Sequence, residues 1–489
     1  MSERENDIAE PTDALHEEPA IEADHPAEPS HDEDDRLTPD FVDAVIECVE
    51  AGQVETARSL VEPLHPADIA DLFELAPADQ RRPLAETLAD LLDGDVLAEM
   101  NDWVREQVLE ALSNEQVADL ASELDTDDAV AIIEDMDVED QREVLRAMEP
   151  DDRAAIEEAL SYPEESAGRL MQRELIAVPE HWNVGDVLDY LRGNSDLTTD
   201  FWEIFVVDHG HHPVGTCKLS WILRSQRDVS VAEMMQREQT LIPVDMDQEE
   251  VALRFQKYAL ISAAVVDHNE RLVGMITVDD IVHIIQEEAG EDALRLSGAG
   301  DGDINEPIRL TVRTRLMWLL VNLPTAMLAA AVVGLFNGEI ARYAVLAALM
   351  GIVTGMGGNA GTQTLAVVVR ALATNQLTES NTWRMIGREF RIAATNGVML
   401  GLLIGGGSYL YFYTFAIGAP LWRVDLATVF GLAILINNLV AGLSGVLVPL
   451  TLERFRVDPA VSSAVFVTMC TDCMGFLSFL GLAAIFVPG

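Results

Sequence analysis

Lysine is almost missing from this chain: Lys218 and Lys257 are the only two in 489 residues. Lysine and arginine together number 31 against 84 aspartates and glutamates, a formal net charge of −53. Binding to phosphate backbones needs clustered cations, so nucleic acid is excluded as a partner of the acidic part, and cations become its natural partners. Adaptation to high salt produces such an excess, and so does a divalent-cation sensor; the two readings are compatible. Cysteine is scarce as well. Cys48 and Cys217 lie far apart and Cys470 and Cys473 sit inside an apolar segment, which leaves no disulfide framework. The opening MSERENDIAEPTD contains no apolar h-region, so no cleaved secretory signal is expected.

Long apolar runs are absent before about residue 313 and dominate afterwards, which divides the chain into an acidic soluble part and a membrane part. Residues 1–37, rich in Pro and acids and poor in large apolar groups, read as a disordered acidic tail. Residues 38–165 repeat a short unit: HPADIADLFELAPADQ, SNEQVADLASELDTDDAVAIIEDM and DVEDQREVLRAMEPDDRAAIEEAL each begin on a Pro, Ser or Asp signal and then place apolar residues at helical spacing. Units of this size bury a core only by stacking, which predicts a helical superhelix.

Between 166 and 284 two segments align. VVDHGHHPVG begins at Val206 and VVDHNERLVG at Val265, and each joins two apolar strands across a turn. This tandem resembles a pair of CBS domains, regulatory modules that form dimers. The resemblance implies one nucleotide test, because Thr277 and Asp280 in ITVDDI match the Thr-x-x-Asp pattern that holds a ribose; an N-capped helix start explains the same residues. His209, His211 and His212 crowd one hairpin tip and lack the mixed spacing of a closed zinc site, so they read as turn residues.

Five apolar runs follow, at about 316–336, 343–373, 392–414, 426–452 and 459–487, each long enough to cross about 30 Å of hydrocarbon as a helix. Arg309, Arg313, Arg315, Arg384, Arg388, Arg391, Arg454 and Arg456 flank one side and only Arg342 and Arg423 the other, which places the acidic half in the cytoplasm and the C-terminus outside. The second run contains TGMGGNAGTQT, and the fifth places Asp472 about four turns in. An ionised carboxylate at that depth costs about 2.5–3.5 kcal/mol on insertion scales and calls for a cavity or a cation. Asn359, Thr362 and Gln363 add neutral oxygens, while Gly355, Gly357, Gly358 and Gly361 permit close helix approach or exposed carbonyls. Such hard oxygen donors suit Mg²⁺, and a single carboxylate per chain suits an ion that keeps its water. No general acid or base accompanies the cysteines of CTDC, which read as packing residues, and no enzyme is expected.

The order of parts is specific: a helical superhelix, the junction SYPEESAGRLM at 161–171, a CBS pair, an acidic helix at 285–312, and a five-helix membrane domain at 313–489 carrying GMGGNAGTQT and FVTMCTDCMGF. This resembles the MgtE family of magnesium channels. The fold class is then multidomain, α with α/β and membrane parts. The resemblance implies a homodimer in the plasma (inner) membrane with one pore on its axis, Asp472 holding hydrated Mg²⁺, and Gly357, Gly358, Asn359 and Gly361 at the pore entrance. It implies that the helix IIQEEAGEDALRL plugs the cytoplasmic mouth, and that Asp280, Glu288, Glu291, Asp292 and Asp267 hold regulatory Mg²⁺, with ATP or a related nucleotide at the CBS pair. His283 stands where the family commonly has another acid. The expected function is Mg²⁺ uptake down its gradient, closed by cytosolic Mg²⁺. The alternative is a secondary transporter of Mg²⁺, Mn²⁺ or Co²⁺ coupled to H⁺ or Na⁺.

Overall fold

The structure is a computed structural model, and it describes residues 30–134, 136–194, 201–297, 302–378, 380–415 and 422–487. Most of the expected acidic tail, residues 1–29, lies outside the described residues. Its last part is ordered, contrary to the expectation. Asp32 Oδ1 accepts from the backbone N–H of Asp34 and Arg36, and the turn so closed seats Leu37 in the core at 5% exposure.

The described chain forms two compact units, residues up to Ala121 with Asp135–Val144, and Ser122–Glu134 with Leu145 onward. In the first lie α1 (Pro39–Glu50), α2 (Val54–Val61), α3 (Pro66–Leu75), α4 (Ala78–Thr87), α5 (Gly94–Ala98), α6 (Asp102–Leu109) and α7 (Asn114–Ala121). Four of these helices begin on a side-chain cap: Thr38, His65, Asp93 and Asn101 each accept a backbone N–H of the first turn. Helices α1 and α4 pack together, as do α3 and α5, burying Phe41, Val45, Leu72 and Phe73.

The second unit takes α8 (Thr126–Glu134), the end of α9 (Val138–Ala147) and α10 (Pro150–Ala159). The junction after them is tightly packed. A Cβ on Gly168 would stand 2.5 Å from the Tyr162 ring, and Arg169 donates to the carbonyls of Leu160 and Tyr162 while pairing with Glu134 at 3.0 Å. Two β-rich repeats follow: β1 (Ala177–Pro179), α11 (Val184–Gly193), β2 (Glu203–Val207), β3 (Pro213–Lys218), α12 (Leu219–Arg224) and α13 (Val231–Met234), then β4 (Leu241–Pro243), α14 (Gln248–Tyr258), β5 (Ser262–Val266) and β6 (Leu272–Thr277). Each sheet pairs its first two strands parallel and its last two antiparallel, and the register slips after Val206 in one and after Val265 in the other. The hairpin tips match too: Asp208 and Asp267 each cap their turn, and His211 and Glu270 carry positive φ. The two sheets meet through Phe205, Val207, Ala264, Leu272 and Met275.

Helix α15 (Val278–Ser297) runs out of the second repeat. Then come α16 (Ile308–Gly334), the short α17 (Asn337–Arg342), α18 (Val345–Ala373), α19 (Thr382–Phe415), α20 (Trp422–Arg454) and α21 (Pro459–Phe486). Five of these, α16 and α18 to α21, are long and apolar enough to cross a membrane. Helix α20 is the centre, packed by α18, α19 and α21, whereas α16 packs mainly on α21 and leaves Leu316, Leu319, Leu320 and Leu323 exposed. Lipid tails are as apolar as leucine, so close backbone approach has to hold the bundle together. On α19, Gly397, Gly401 and Gly405 recur every four residues against α20. A methyl group added to Gly431 would lie 2.6 Å from the Gly401 carbonyl oxygen, backbone that cannot swing aside. Gly431→Ala is therefore expected to destabilise the bundle by about 1–3 kcal/mol and lower the Tm in detergent. Gly406→Ala, at a site with open space, should not lower it.

Candidate functional site

Asp472 lies thirteen residues past the start of α21, roughly 20 Å along the helix. It lines a cavity of about 380 Å³ together with Trp318, Asn322 and Thr325 of α16, Thr468 of α21, and Arg295 of α15. Residues 464, 465, 468, 469 and 472 fall on one face of α21 because they recur at three- and four-residue spacing. On α16 the polar wall coincides with Pro324, which interrupts the backbone hydrogen bonds, and Thr325 Oγ1 donates to the Asn322 carbonyl. Asn322 and Thr325 were missed from sequence. The signal was the polar VNLPT in an otherwise apolar first span.

The glycine motif stands elsewhere. Gly357 and Gly361 do not face this cavity; they are contact points between helices. The space where a Gly357 side chain would stand holds the amide of Asn437, which is fully buried and donates to the Val353 carbonyl at 2.9 Å. A Cβ on Gly361 would press on Val467 at 2.7 Å. Gly358 has open space, Asn359 is exposed, and Gln363 lines a different cavity. Within a single chain Asp472 is therefore the one predicted ion-binding residue on the wall of the 380 Å³ cavity. Cys470 and Cys473 are both free and half-buried.

One end of the cavity is formed by the last turns of α15, which pack on α21. Arg295 is held by Glu291 one turn earlier and by Asp458, whose other oxygen caps α21 through the Ala460 N–H at 2.7 Å. Glu291 is thus committed to Arg295, and Glu288 accepts from Gln248 Nε2 at 2.7 Å. The side chain of Asp292 is outside the described ones, and His283 is exposed. Asp267 is half-buried at its hairpin tip, where the N–H groups of Arg271 and Asn269 hold its carboxyl below the usual range, as the corresponding turn does for Asp208.

Asp280 occupies a different environment. It sits in the first turn of α15, and the Thr277 hydroxyl donates to it at 2.6 Å. The Thr277 backbone N–H donates to the same oxygen at 3.4 Å, a helix-start arrangement that needs no nucleotide. Facing it from α8 is Asp127, whose Oδ1 is buried without a hydrogen-bond partner among the described residues. Burial first, then the charges of Asp280, Asp128 and Asp125, hold the Asp127 carboxyl well above its usual range. Burial raises Asp280 too, partly countered by the Thr277 hydroxyl. Asp127 was not found from sequence, because the helical repeats align ambiguously and nothing in DTDDAV marks one acid over its neighbours.

Comparison with known proteins bears on both places. A protein-family model described as MgtE, divalent cation transporter, matches residues 350–482; the MgtE intracellular N domain matches 64–165, and a CBS domain matches 231–287. The magnesium transporter MgtE of Enterococcus faecalis is 30% identical over 332 residues, covering 68% of this chain and 71% of that protein. The chain belongs to the MgtE family of magnesium transporters. The MgtE transporter of Bacillus subtilis is 28% identical over 440 residues, covering 89% of this chain and 95% of that protein. Among solved structures, the cytosolic domain of the Mg²⁺ channel MgtE in complex with ATP is 27% identical, covering 50% of this chain and 99% of that one, with a TM-score of 0.46. As an MgtE protein, the chain joins a family transporter region, which includes Asp472, to an intracellular N domain, which includes Asp127.

Proposed function

We propose that this MgtE protein is a homodimeric Mg²⁺ channel of the plasma membrane, with the acidic half in the cytoplasm and the C-terminus outside, and that cytosolic Mg²⁺ closes it. The observation that carries the reading is a carboxylate, Asp472, on a polar cavity at membrane depth whose one cationic wall residue among those described, Arg295, belongs to α15. A hydrated divalent ion offsets the cost of that buried charge. Gly358, Asn359 and Gln363 are left as entrance residues in the assembled pore.

Closure follows from electrostatics. With α15 seated on α21, the Arg295 side chain and its partners Glu291 and Asp458 occupy the end of the cavity where a divalent cation would pass. Asp127 and Asp280 oppose the seating of α8 against the start of α15 unless a proton or a cation lies between them. A Mg²⁺ ion bridging them favours the packed, closed form, and its differential affinity sets the shift. Glu288, Glu291, Asp292 and Asp267 are weaker candidates as regulatory ligands, since three of them have protein partners already. ATP at the CBS pair is the corresponding nucleotide proposal.

The test is Mg²⁺ entry into proteoliposomes that carry a Mg²⁺ gradient and no gradient of H⁺ or Na⁺. A channel dissipates the Mg²⁺ gradient under those conditions. Entry that appears only when a second ion gradient is imposed would establish the coupled transporter instead.

A further inference from the structure

A second polar cavity, of about 190 Å³, lies between α18, α19 and α20. Its wall carries Glu389, Gln363, Thr364, Asn396 and Asn438, with Arg388 at the rim, and none of these residues lines the Asp472 cavity. The third apolar run of the sequence starts at about residue 392. The helix in fact begins at Thr382, so Glu389 lies seven residues inside it, roughly 10 Å along. Glu389 is only 5% exposed, and among the described residues its carboxylate accepts from Arg388 alone, at 2.8 Å. The Arg388 side chain is 58% exposed and stands at the rim, so its charge is shared between Glu389 and solvent.

The remaining donors are neutral. Asn396 lies two turns deeper on α19, Asn438 is 1% exposed on α20, and Gln363 and Thr364 come from α18. Amides and a carboxylate do not face hydrocarbon without a partner, because each unsatisfied group costs several kcal/mol. The set consists of oxygen donors suited to hard cations. It holds one carboxylate, paired at 2.8 Å with a largely solvated guanidinium. A divalent ion would therefore add twice the uncompensated charge of a monovalent one.

We propose that this cavity binds a monovalent metal cation, Na⁺ or K⁺, through the Glu389 carboxylate and the side-chain oxygens of Gln363, Asn396 and Asn438, at a site separate from the Asp472 pathway. The test is the Tm of the full chain in detergent, titrated with NaCl or KCl against N-methyl-D-glucamine chloride at constant ionic strength. Screening of the acidic surface acts equally in every variant, so differences between variants isolate the site. Glu389→Gln is expected to raise the half-saturating cation concentration about tenfold or abolish the response. Asn396→Leu, which spares the ion pair, is expected to weaken it in the same direction. Asp472→Ala is expected to leave it unchanged, so that the result stands apart from the pore proposal. The proposal is overturned if neither Na⁺ nor K⁺ exceeds N-methyl-D-glucamine, if both Glu389→Gln and Asn396→Leu respond like the parent, or if Asp472→Ala removes the response.

Discussion

Asp472→Ala should lower Mg²⁺ flux in proteoliposomes by at least about tenfold at equal protein density. A unit charge attracts a divalent ion 4–5 Å away by roughly 7 kcal/mol at an effective dielectric of 20, and dehydration offsets most of this. If a fifth survives as net stabilisation, its loss is already a factor of about ten. Asp472→Asn keeps the volume and removes the charge, so it should fall nearly as far; Asp472→Glu should retain part of the flux because the cavity, at about 380 Å³, has room for another methylene. The half-buried side chain bears on no cluster comparable to Asn437 against Gly357, so the fold should tolerate all three. Parent-like flux through the alanine variant would remove Asp472 from the ion path and the channel proposal with it.

The second large effect is expected at Asp127 and Asp280. Both carboxyls are held above their ordinary value of 3.8 in the folded chain, so the folded state favours their protonated forms. That contribution is fully present below about pH 3.8 and is lost as pH rises through the elevated values. In chelator, the Tm should therefore fall between acid and neutral pH, and Mg²⁺ at neutral pH should restore it by taking the place of the proton. The Asp127→Asn and Asp280→Asn double variant should show neither the pH dependence from this pair nor its share of the Mg²⁺ response. In flux measurements the internal Mg²⁺ needed for half-closure should shift by about tenfold, the scale of a coupling free energy between sites. An unchanged Mg²⁺ response would show that regulatory Mg²⁺ binds elsewhere.

Removing the charge at Arg295 separates the two effects. Arg295→Gln keeps a long polar side chain but withdraws the cation from the cavity wall and frees Glu291 and Asp458. Residual flux at high internal Mg²⁺ should rise, measured in the same proteoliposomes, while Asp472 remains required. A decrease would mean that Arg295 supports the open pathway instead.

The amino-acid sequence by itself determined what depends on local pattern. Start signals and helical spacing set the short helices, the two VVDH segments set the duplicated hairpins, and apolar length set five spans. Asp472 was legible because a carboxylate in a run such as AVFVTMCTDCMGF is costly in any arrangement. Only the tertiary structure decided which polar groups meet. Asp127 is one acid among many until α8 places it against Asp280, and Glu389 lies outside the third apolar run of the sequence until α18 and α20 close over it. Gly357 and Gly361 read as sites of close helix approach and exposed carbonyls, and only the folded chain brings Asn437 and Val467 against them. The physical reason is range: helix formation and membrane insertion are set by neighbours in the chain, whereas burial of a charge and the filling of a glycine's missing side chain are set by residues brought close from far along the sequence.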